Sequence, residues 1–242
     1  MTQRGASLHL VHLYPDEMNT YGDRGNRLTL LQRARWRGLD PVVHFVGIGD
    51  DLPPETDLVL GGGGQDSAQA DIQADVLRKG DRLHELVQAG VPMLMVCGTY
   101  QLLGRRFRTH EGAEIAGIGV FDVETIGGDR RLIGNAAVQT EEFGTLYGFE
   151  NHSGRTVLTP GQAPLGRVLR GNGNNGEDGT EGARTVNAIG TYLHGPLLPA
   201  NPVLADALLA LALGRRGERV DLERVDEPLV ERSRAEAANR AY

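Results

Sequence analysis

The chain has 242 residues, of which 40% are hydrophobic and 24% are charged, and its formal net charge is −7. This composition is typical of a soluble globular protein whose core needs no disulfide or metal. The negative charge disfavours general nucleic-acid binding, which depends on clustered Lys and Arg. No apolar run approaches the roughly 20 residues of a membrane helix, and the N-terminus does not resemble a signal peptide.

The first half of the sequence alternates apolar runs with helix-like stretches, which predicts an α/β fold with a parallel sheet. Continuous apolar runs, typical of strands covered on both faces, lie at Leu8–Leu13, Val42–Val46, Leu58–Leu60 and Met93–Val96. Apolar residues at helical spacing predict helices over Arg27–Arg37 and Asp71–Ala89. Gly80 leaves open whether the second of these spans is one helix or two.

The pattern changes after Gly117. Closely spaced strand candidates predict an antiparallel or mixed extension of the same sheet, at Ile118–Thr125, Asn135–Thr140, Thr145–Phe149 and Thr156–Leu158. The stretch Gly171–Gly176 has no apolar residue to bury and predicts a mobile surface loop. A strand over Ala188–Leu193 and a helix over Pro202–Leu213 follow. The charged segment Asp221–Tyr242 is compatible with a helix that docks on the body or on a partner.

The single cysteine, Cys97, can form neither an intramolecular disulfide nor a thiolate zinc site. Composition alone favours a buried packing role for it. Its position indicates more, because an apolar strand ends at Cys97, Gly98 follows, and a helical pattern begins. This is the arrangement of a nucleophile elbow at the carboxyl end of a sheet. The backbone N–H groups and dipole of the helix N-terminus can then stabilise a thiolate and an oxyanion.

Two further segments complete a candidate site. The strand at Leu58–Leu60 runs into four glycines, Gly61–Gly64, which allow close backbone approach and a second oxyanion donor but lack the ending of a phosphate loop. His194 closes a late predicted strand before a Gly-Pro turn and can act as the base for Cys97. The other histidines are expected to be packed or at the surface, with the role of His152 left open.

Together these segments resemble the class I glutamine amidotransferases, and more narrowly their CobB/CobQ-like, cobyric-acid-synthase-type branch. The segments that carry the resemblance are Tyr21–Asn26, Gly61–Asp66, Cys97–Gly104, Phe143–Thr145 with Gly148–His152, and Gly190–Pro196. The resemblance implies a flavodoxin-like α/β fold in one domain over residues 1–242, with a mainly parallel central sheet flanked by helices and an antiparallel extension.

The resemblance also implies glutaminase chemistry without a cofactor or metal. It implies catalytic roles for Cys97 and His194, and substrate-binding roles for Arg131, Gly62, Gly63, Gly98 and Gln101. The motifs are most similar to the glutaminase subunits of lipid II isoglutaminyl synthases. That similarity implies a cytoplasmic hetero-complex near the inner membrane face. A Mur-ligase-like ATP-dependent subunit would there use the ammonia to convert the D-glutamate of lipid II to D-isoglutamine.

One position departs from the class I pattern. Most class I enzymes carry a Glu two residues after the catalytic His, whereas this chain has Pro196, and the next carboxylate is Asp206 on a predicted helix. The site is therefore a Cys–His dyad, or a triad completed elsewhere. The resemblance implies that the partner subunit supplies an acidic residue.

Three alternatives stay open at this stage. The glutaminase could serve cobyrinate or another amide acceptor, although such modules usually follow an ATP-binding domain and this sequence starts directly at its first strand. The chain could be a non-catalytic scaffold subunit, which would require a misdirected Cys97 or His194. It could also be a redox-sensing thiol protein on a similar fold.

Overall fold

The structure is a computed structural model that describes residues 7–217, 222 and 228–239. Its strands are β1 (Ser7–Leu13), β2 (Asp40–Val46), β3 (Leu58–Gly61), β4 (Met93–Val96), β5 (Arg106–Arg108), β6 (Glu114–Ala116), β7 (Val123–Gln139), β8 (Thr145–Leu158), β9 (Gly166–Arg170), β10 (Thr180–Glu181), β11 (Ala183–Thr185) and β12 (Ala188–Thr191). Its helices are α1 (Arg24–Trp36), α2 (Asp66–Gln88), α3 (Gly98–Leu102), α4 (Leu197–Ala200), α5 (Pro202–Gly214) and α6 (Pro228–Asn239). Among these described helices, none combines the length and apolar character that a bilayer crossing requires.

Six strands form a central sheet in the order β11-β12-β4-β3-β1-β2. Every neighbouring pair is parallel except the edge pair of β11 and β12. Strands β3, β4 and β12 are buried along their whole length, as expected in the middle of a parallel sheet. This architecture confirms the predicted fold class and the four strands predicted before residue 100.

The second half of the chain departs from the prediction. The short strands expected after Gly117 are two long ones, β7 and β8, which pair antiparallel. With β5, β6, β9 and β10 they form a separate sheet rather than an extension of the first. The middle of β7 is exposed and rich in glycine and charge. The hydropathy pattern therefore breaks there, although the backbone pairing continues.

The pairing of β7 with β8 is irregular at one place. Gly127 pairs with Gly154 and Leu132 pairs with His152, so residues 128–131 lie opposite Ser153 alone. Bulges of this kind bend a strand and redirect its side chains. Arg131, the last residue of the irregular stretch, is redirected in this way.

Helix α2 runs unbroken from Asp66 to Gln88, so the alternative of two helices divided at Gly80 is wrong. A Cβ at Gly80 would lie 3.2 Å from Cγ2 of Ile118. The glycine therefore lets the helix pack closely against the segment after β6. That contact offsets the roughly 1 kcal/mol by which glycine weakens a helix interior.

The stretch Gly171–Gly176 is packed rather than a surface loop, because Asn174 and Asn175 within it are buried. The Asn174 side-chain amide donates to the carbonyl of Gly182 at 2.9 Å. The buried carboxylate of Glu150 accepts hydrogen bonds from two backbone N–H groups of the stretch. Hydrogen bonds rather than apolar contacts hold this stretch in place. A hydropathy pattern does not predict such hydrogen bonds.

The helix predicted from Pro202 is confirmed as α5, and an ion cluster fastens it to α1. Both carboxylate oxygens of Asp206 accept hydrogen bonds from Arg33 at 2.7 Å, and Arg37 lies 2.9 Å away. The two arginine side chains are only 4% and 6% exposed. The carboxylate of Asp206 therefore pairs with these two arginines and joins α5 to α1.

The C-terminal segment predicted over Asp221–Tyr242 is described only at residue 222 and over α6, and the rest of it lies outside the described residues. Where it is described, the helix is confirmed. Arg234 donates to the carbonyl of Thr145 at 2.8 Å and lies over the ring of Tyr147. Helix α6 therefore docks on β8 of its own chain.

We expect Asp206→Asn to lower the free energy of unfolding by about 2 kcal/mol or more, because it removes the negative charge that two buried guanidinium groups share. Urea denaturation measures this change. Glu85→Gln is the control, since it breaks an exposed ion pair with Arg82 and should change the free energy by less than about 0.5 kcal/mol. Equal effects of the two variants would contradict the role of the cluster.

Candidate active site

Cys97 lies on a sharp turn between β4 and α3. Its backbone dihedrals are φ 52° and ψ −103°, which are strained for a residue that carries a side chain. The turn is held on both sides. The Cys97 N–H donates to the carbonyl of Thr191 on β12 at 2.8 Å, and the Gln101 N–H donates to the carbonyl of Cys97 at 2.9 Å. This geometry confirms the predicted strand-to-helix turn.

A cavity of about 360 Å³ opens at this turn. It is lined by Cys97, Tyr21, Gly64, Gln65, Asp66, Gln69, Gln101, Arg131, His152 and Ser153. Its volume suits a small molecule. The lining comes from both sheets, so the site lies where the second sheet meets the carboxyl ends of the central strands, as expected for an open α/β fold.

The glycine run after β3 packs at very short range. A Cβ at Gly63 would lie 2.7 Å from Cε1 of His194 and 3.2 Å from Cβ of Cys97. Gly62 is packed just as tightly, against the backbone of Met18. Gly64 is the member of the run that reaches the cavity wall. The structure thus places Gly62 and Gly63 behind the wall.

Gly98, directly after Cys97, is buried under the cavity. A Cβ there would lie 3.0 Å from the backbone nitrogen of Gly64 and 3.4 Å from Cδ of Gln69. The helix it begins, α3, has only five residues. A helix this short carries a small macrodipole. The nearest side chains therefore contribute more than the helix to stabilising a charge at Cys97.

His194 follows β12, the neighbour of β4 in the central sheet. Its ring is 1% exposed, and its Nδ1 lies 3.8 Å from Oδ2 of Asp23. Burial alone would lower the pKa of His194, but the nearby Cys97 and Asp23 outweigh burial and raise the pKa to about 10. This environment favours the protonated, imidazolium form of His194. The structure therefore brings together the predicted Cys97 and His194.

Asp23 is a site residue that the sequence analysis did not single out. It lies at the start of α1, is 3% exposed, and accepts a hydrogen bond from the N–H of Gly63 at 2.8 Å. Its position along the chain could have indicated a site residue. Asp23 belongs to the loop after β1, and the carboxyl end of β1 lies next to that of β3.

Arg131 projects into the cavity from the irregular part of β7. Its Nε donates to Oδ1 of Asn151 at 2.8 Å, and one terminal nitrogen donates to the Asn151 carbonyl at 3.0 Å and to the Tyr21 hydroxyl at 3.1 Å. These contacts hold an exposed guanidinium at the mouth of the cavity. Arg131 supplies the positive charge that an anionic group of a ligand would meet.

Gln101, predicted to bind substrate, lines the cavity and belongs to a buried amide network. Its side-chain nitrogen donates to the Tyr192 hydroxyl at 3.0 Å, and its side-chain oxygen accepts from Gln69 at 2.8 Å. The Gln69 side-chain oxygen and Nε2 of His152 are buried without a hydrogen-bond partner among the described residues. Gln69 and His152 were not predicted as ligand contacts.

His152 is neutral in this environment, because burial lowers its pKa to about 3. Its Nδ1 lies 2.8 Å from the carbonyl of Gly154, so we assign the proton to Nδ1 and leave Nε2 as an acceptor. The ring stacks on Tyr192 with 3.6 Å between centroids. The cavity therefore has an arginine at its mouth and two unsatisfied acceptors, from Gln69 and His152, in its wall.

Residues 9–202 match the CobB/CobQ-like glutamine amidotransferase domain. The chain belongs to this family. A Staphylococcus aureus (strain N315) protein named lipid II isoglutaminyl synthase (glutamine-hydrolyzing) subunit GatD is 38% identical to it over 220 residues, which cover 90% of each chain. A protein of the same name from Streptococcus pneumoniae (strain ATCC BAA-255 / R6) is 39% identical, covering 92% of this chain and 87% of the relative.

A solved structure of a glutamine amidotransferase superposes with a TM-score of 0.58 and covers 84% of this chain and 98% of that one. Its sequence identity of 15% supports the fold alone. Within this glutamine amidotransferase domain, one cavity is lined by segments that are far apart along the chain, around Tyr21, Gly64, Cys97 and His152. His194 is not part of the lining and packs behind it against Gly63.

A second buried carboxylate in this glutamine amidotransferase is Glu181 of β10, which contacts the end of β12 just before His194. One of its oxygens accepts from the N–H of Tyr192 at 2.7 Å and from the Thr191 hydroxyl at 3.0 Å. Its other oxygen has no hydrogen-bond partner among the described residues. Burial therefore raises the pKa of Glu181 from about 4.5 to about 7.

A raised carboxyl pKa makes the native state more stable at low pH and less stable once the group must ionise. The contribution of Glu181 is fully present below pH 4.5 and is lost as the pH rises through 7; the loss amounts to about 3 kcal/mol. We expect Glu181→Gln to abolish this part of the pH dependence and to stabilise the protein above pH 7. Urea denaturation of both proteins between pH 4 and 8 tests this, and parallel stability curves would contradict it.

Proposed function

We propose that the chain is a glutaminase subunit that hydrolyses L-glutamine to glutamate and ammonia, with Cys97 as nucleophile and His194 as acid and base. The observation that carries the proposal is the strained Cys97 turn at the end of β4, with His194 at the end of the adjacent strand β12. A packing role for Cys97 explains its burial but gives no reason for the strain, which is typical of functional sites.

The lining of the cavity supports an amino acid as substrate. The Arg131 guanidinium can pair with an α-carboxylate in a fork geometry. The free acceptors on Gln69 and His152 can receive N–H donors from an α-ammonium group. A zwitterion bound between these groups directs its side chain toward Cys97, which shares the same cavity.

The reaction proceeds in two halves. The Cys97 thiolate attacks the carboxamide carbon, the C–N bond breaks, and His194 gives its proton to the departing ammonia, leaving a glutamyl thioester. Water then attacks the thioester, His194 accepts a proton from it, and glutamate leaves with regeneration of the thiolate. The backbone N–H groups of Gly98 and Gly64 are the proposed oxyanion donors, because the Gly63 N–H is already bonded to Asp23.

We further propose that the ammonia passes to an ATP-dependent, Mur-ligase-like partner subunit in the cytoplasm, which amidates the D-glutamate of lipid II. The support is the pair of relatives named as glutamine-hydrolysing subunits of lipid II isoglutaminyl synthase, which match over about nine tenths of this chain. Ammonia released into water would be protonated and lost, so the reaction favours a closed path within a hetero-complex.

Replacing Cys97 by Ser should lower the rate of glutamate release from glutamine by about 10³-fold or more, because the step that forms the thioester is lost. His194→Ala should have a similar effect. His110→Ala, which changes an exposed histidine, is the matched control and should keep the rate of the unmodified chain. The assay uses the full chain alone and with the partner subunit.

Full glutaminase activity of the Cys97→Ser chain in the complex would reject the mechanism. In the same complex, amidation of a lipid II stem peptide with glutamine as the only nitrogen source tests the acceptor. If added ammonium salt supports amidation in the Cys97→Ser complex while glutamine does not, the substitution has removed only the release of ammonia from glutamine, as the proposal requires.

Arg131→Ala should raise KM for glutamine by about 10- to 100-fold with little change in kcat, because it removes a charged hydrogen bond to the substrate. Arg130→Ala is the control, because Arg130 precedes Arg131 on the same strand but is not part of the cavity lining. Steady-state kinetics of glutamate release distinguish the two variants. Equal KM values for both would remove Arg131 from the substrate site.

A further inference from the structure

Tyr21 lies on the loop between β1 and α1, where it is half-buried in the wall of the cavity. The loop is fastened to the glycine run after β3. The Thr20 N–H donates to the carbonyl of Gly63 at 3.1 Å, and a Cβ at Gly62 would overlap the carbonyl of Met18. The backbone therefore presents the Tyr21 side chain to the cavity from a fixed position.

The ring of Tyr21 packs against the imidazole of His194. The two ring centroids are 4.4 Å apart, and the ring planes are inclined by 50°. Neither ring nitrogen of His194 has a hydrogen-bond partner among the described residues. Packing against Tyr21 and Gly63 therefore supplies the contacts that orient the imidazole.

The hydroxyl of Tyr21 contacts the second functional group of the site, the guanidinium of Arg131. It accepts a hydrogen bond from Nη2 at 3.1 Å, while Asn151 accepts from Nη2 and Nε. These bonds use three of the five N–H donors of the guanidinium, so the two on Nη1 remain for a ligand. A hydroxyl that accepts one hydrogen bond still has its own proton to donate. Tyr21 thus adds an O–H donor beside the N–H donors of Arg131.

We propose that Tyr21 joins substrate binding to the positioning of the base: its hydroxyl donates to the α-carboxylate of glutamine beside Arg131, and its ring holds the imidazole of His194. This inference rests on the proposed glutaminase function and deepens it. A carboxylate that accepts from both Arg131 and the phenol fixes the tyrosine ring in its contact with His194. Recognition of the α-carboxylate and orientation of the base are then coupled through one side chain.

Two substitutions in the full chain, assayed with its partner subunit, separate the hydroxyl from the ring. Tyr21→Phe (Y21F) removes only the hydroxyl. We expect KM for glutamine to rise about tenfold, the effect of one lost hydrogen bond to a charged group, with kcat nearly unchanged. Tyr21→Leu (Y21L) also removes the ring. We expect the same rise in KM, and a fall in kcat of about tenfold from the lost ring contact.

The α-amide of L-glutamine isolates the contact of the hydroxyl with the carboxylate. This compound keeps the side-chain carboxamide but carries a neutral amide in place of the α-carboxylate. We expect its Ki as a competitor of glutamate release to be the same for Y21F and the unmodified chain, because the effect of the hydroxyl depends on the carboxylate. A general disturbance of the cavity would raise KM and Ki alike.

Phe45→Leu is the matched control. It removes another aromatic ring that lies near a histidine and an arginine, with 6.2 Å to the ring centroid of His12 and 4.7 Å to Cζ of Arg27, but that is not part of the cavity lining. We expect KM and kcat of this variant to match those of the unmodified chain.

The outcomes separate this proposal from the glutaminase function. If the unmodified chain releases no glutamate with or without its partner, the glutaminase function fails. If it is active and Y21L retains both KM and kcat, the assignment of Tyr21 is overturned while the glutaminase function stands. Equal rises in KM and Ki for Y21F overturn the carboxylate contact, and equal kcat values for Y21F and Y21L overturn the positioning of His194. A rise in KM alone for Y21F, with the loss of kcat confined to Y21L, supports the proposal.

Discussion

Three adjacent parallel strands, β3, β4 and β12, end side by side, and their carboxyl ends bring a glycine, a cysteine and a histidine into contact. The arrangement leaves no room for a side chain at Gly63, whose absent Cβ would lie within 3.5 Å of His194, Cys97 and Asp23. The chemistry of the cavity depends on this close approach. A thiol and an imidazole exchange a proton only when they are neighbours, and the parallel sheet makes neighbours of residues nearly a hundred positions apart.

The strain in the Cys97 backbone is tolerated because the structure around it is rigid. Its N–H is held by the carbonyl of Thr191, and the strands on either side of it are fully buried. A strained conformation persists only where the surrounding packing determines it. Helix α1 is held in place by its ion cluster with α5 and by the packing of Gly25 against Pro196.

Charge is distributed unevenly around the cavity. The side chains of Cys97, His194 and Asp23 are buried, and electrostatic interactions are stronger in a buried site than in water. Arg131, assigned to binding, lies at the exposed mouth, where a long cationic side chain keeps its hydration until a ligand arrives. His152 is kept neutral by burial, so it offers the cavity an acceptor rather than a second positive charge.

The local pattern of the sequence was sufficient for the parallel strands, the Cys97 turn and the end of β12 at His194, because each depends on a continuous apolar run and the residues that stop it. The family resemblance was needed for Arg131, since a basic pair in an exposed strand has no local signature of binding. Only the tertiary structure decided that β7 and β8 form a separate sheet and that Gly171–Gly176 is packed. It alone placed Asp23, Gln69 and His152 at the site. Their roles arise from contacts between segments distant along the chain, which no local periodicity records.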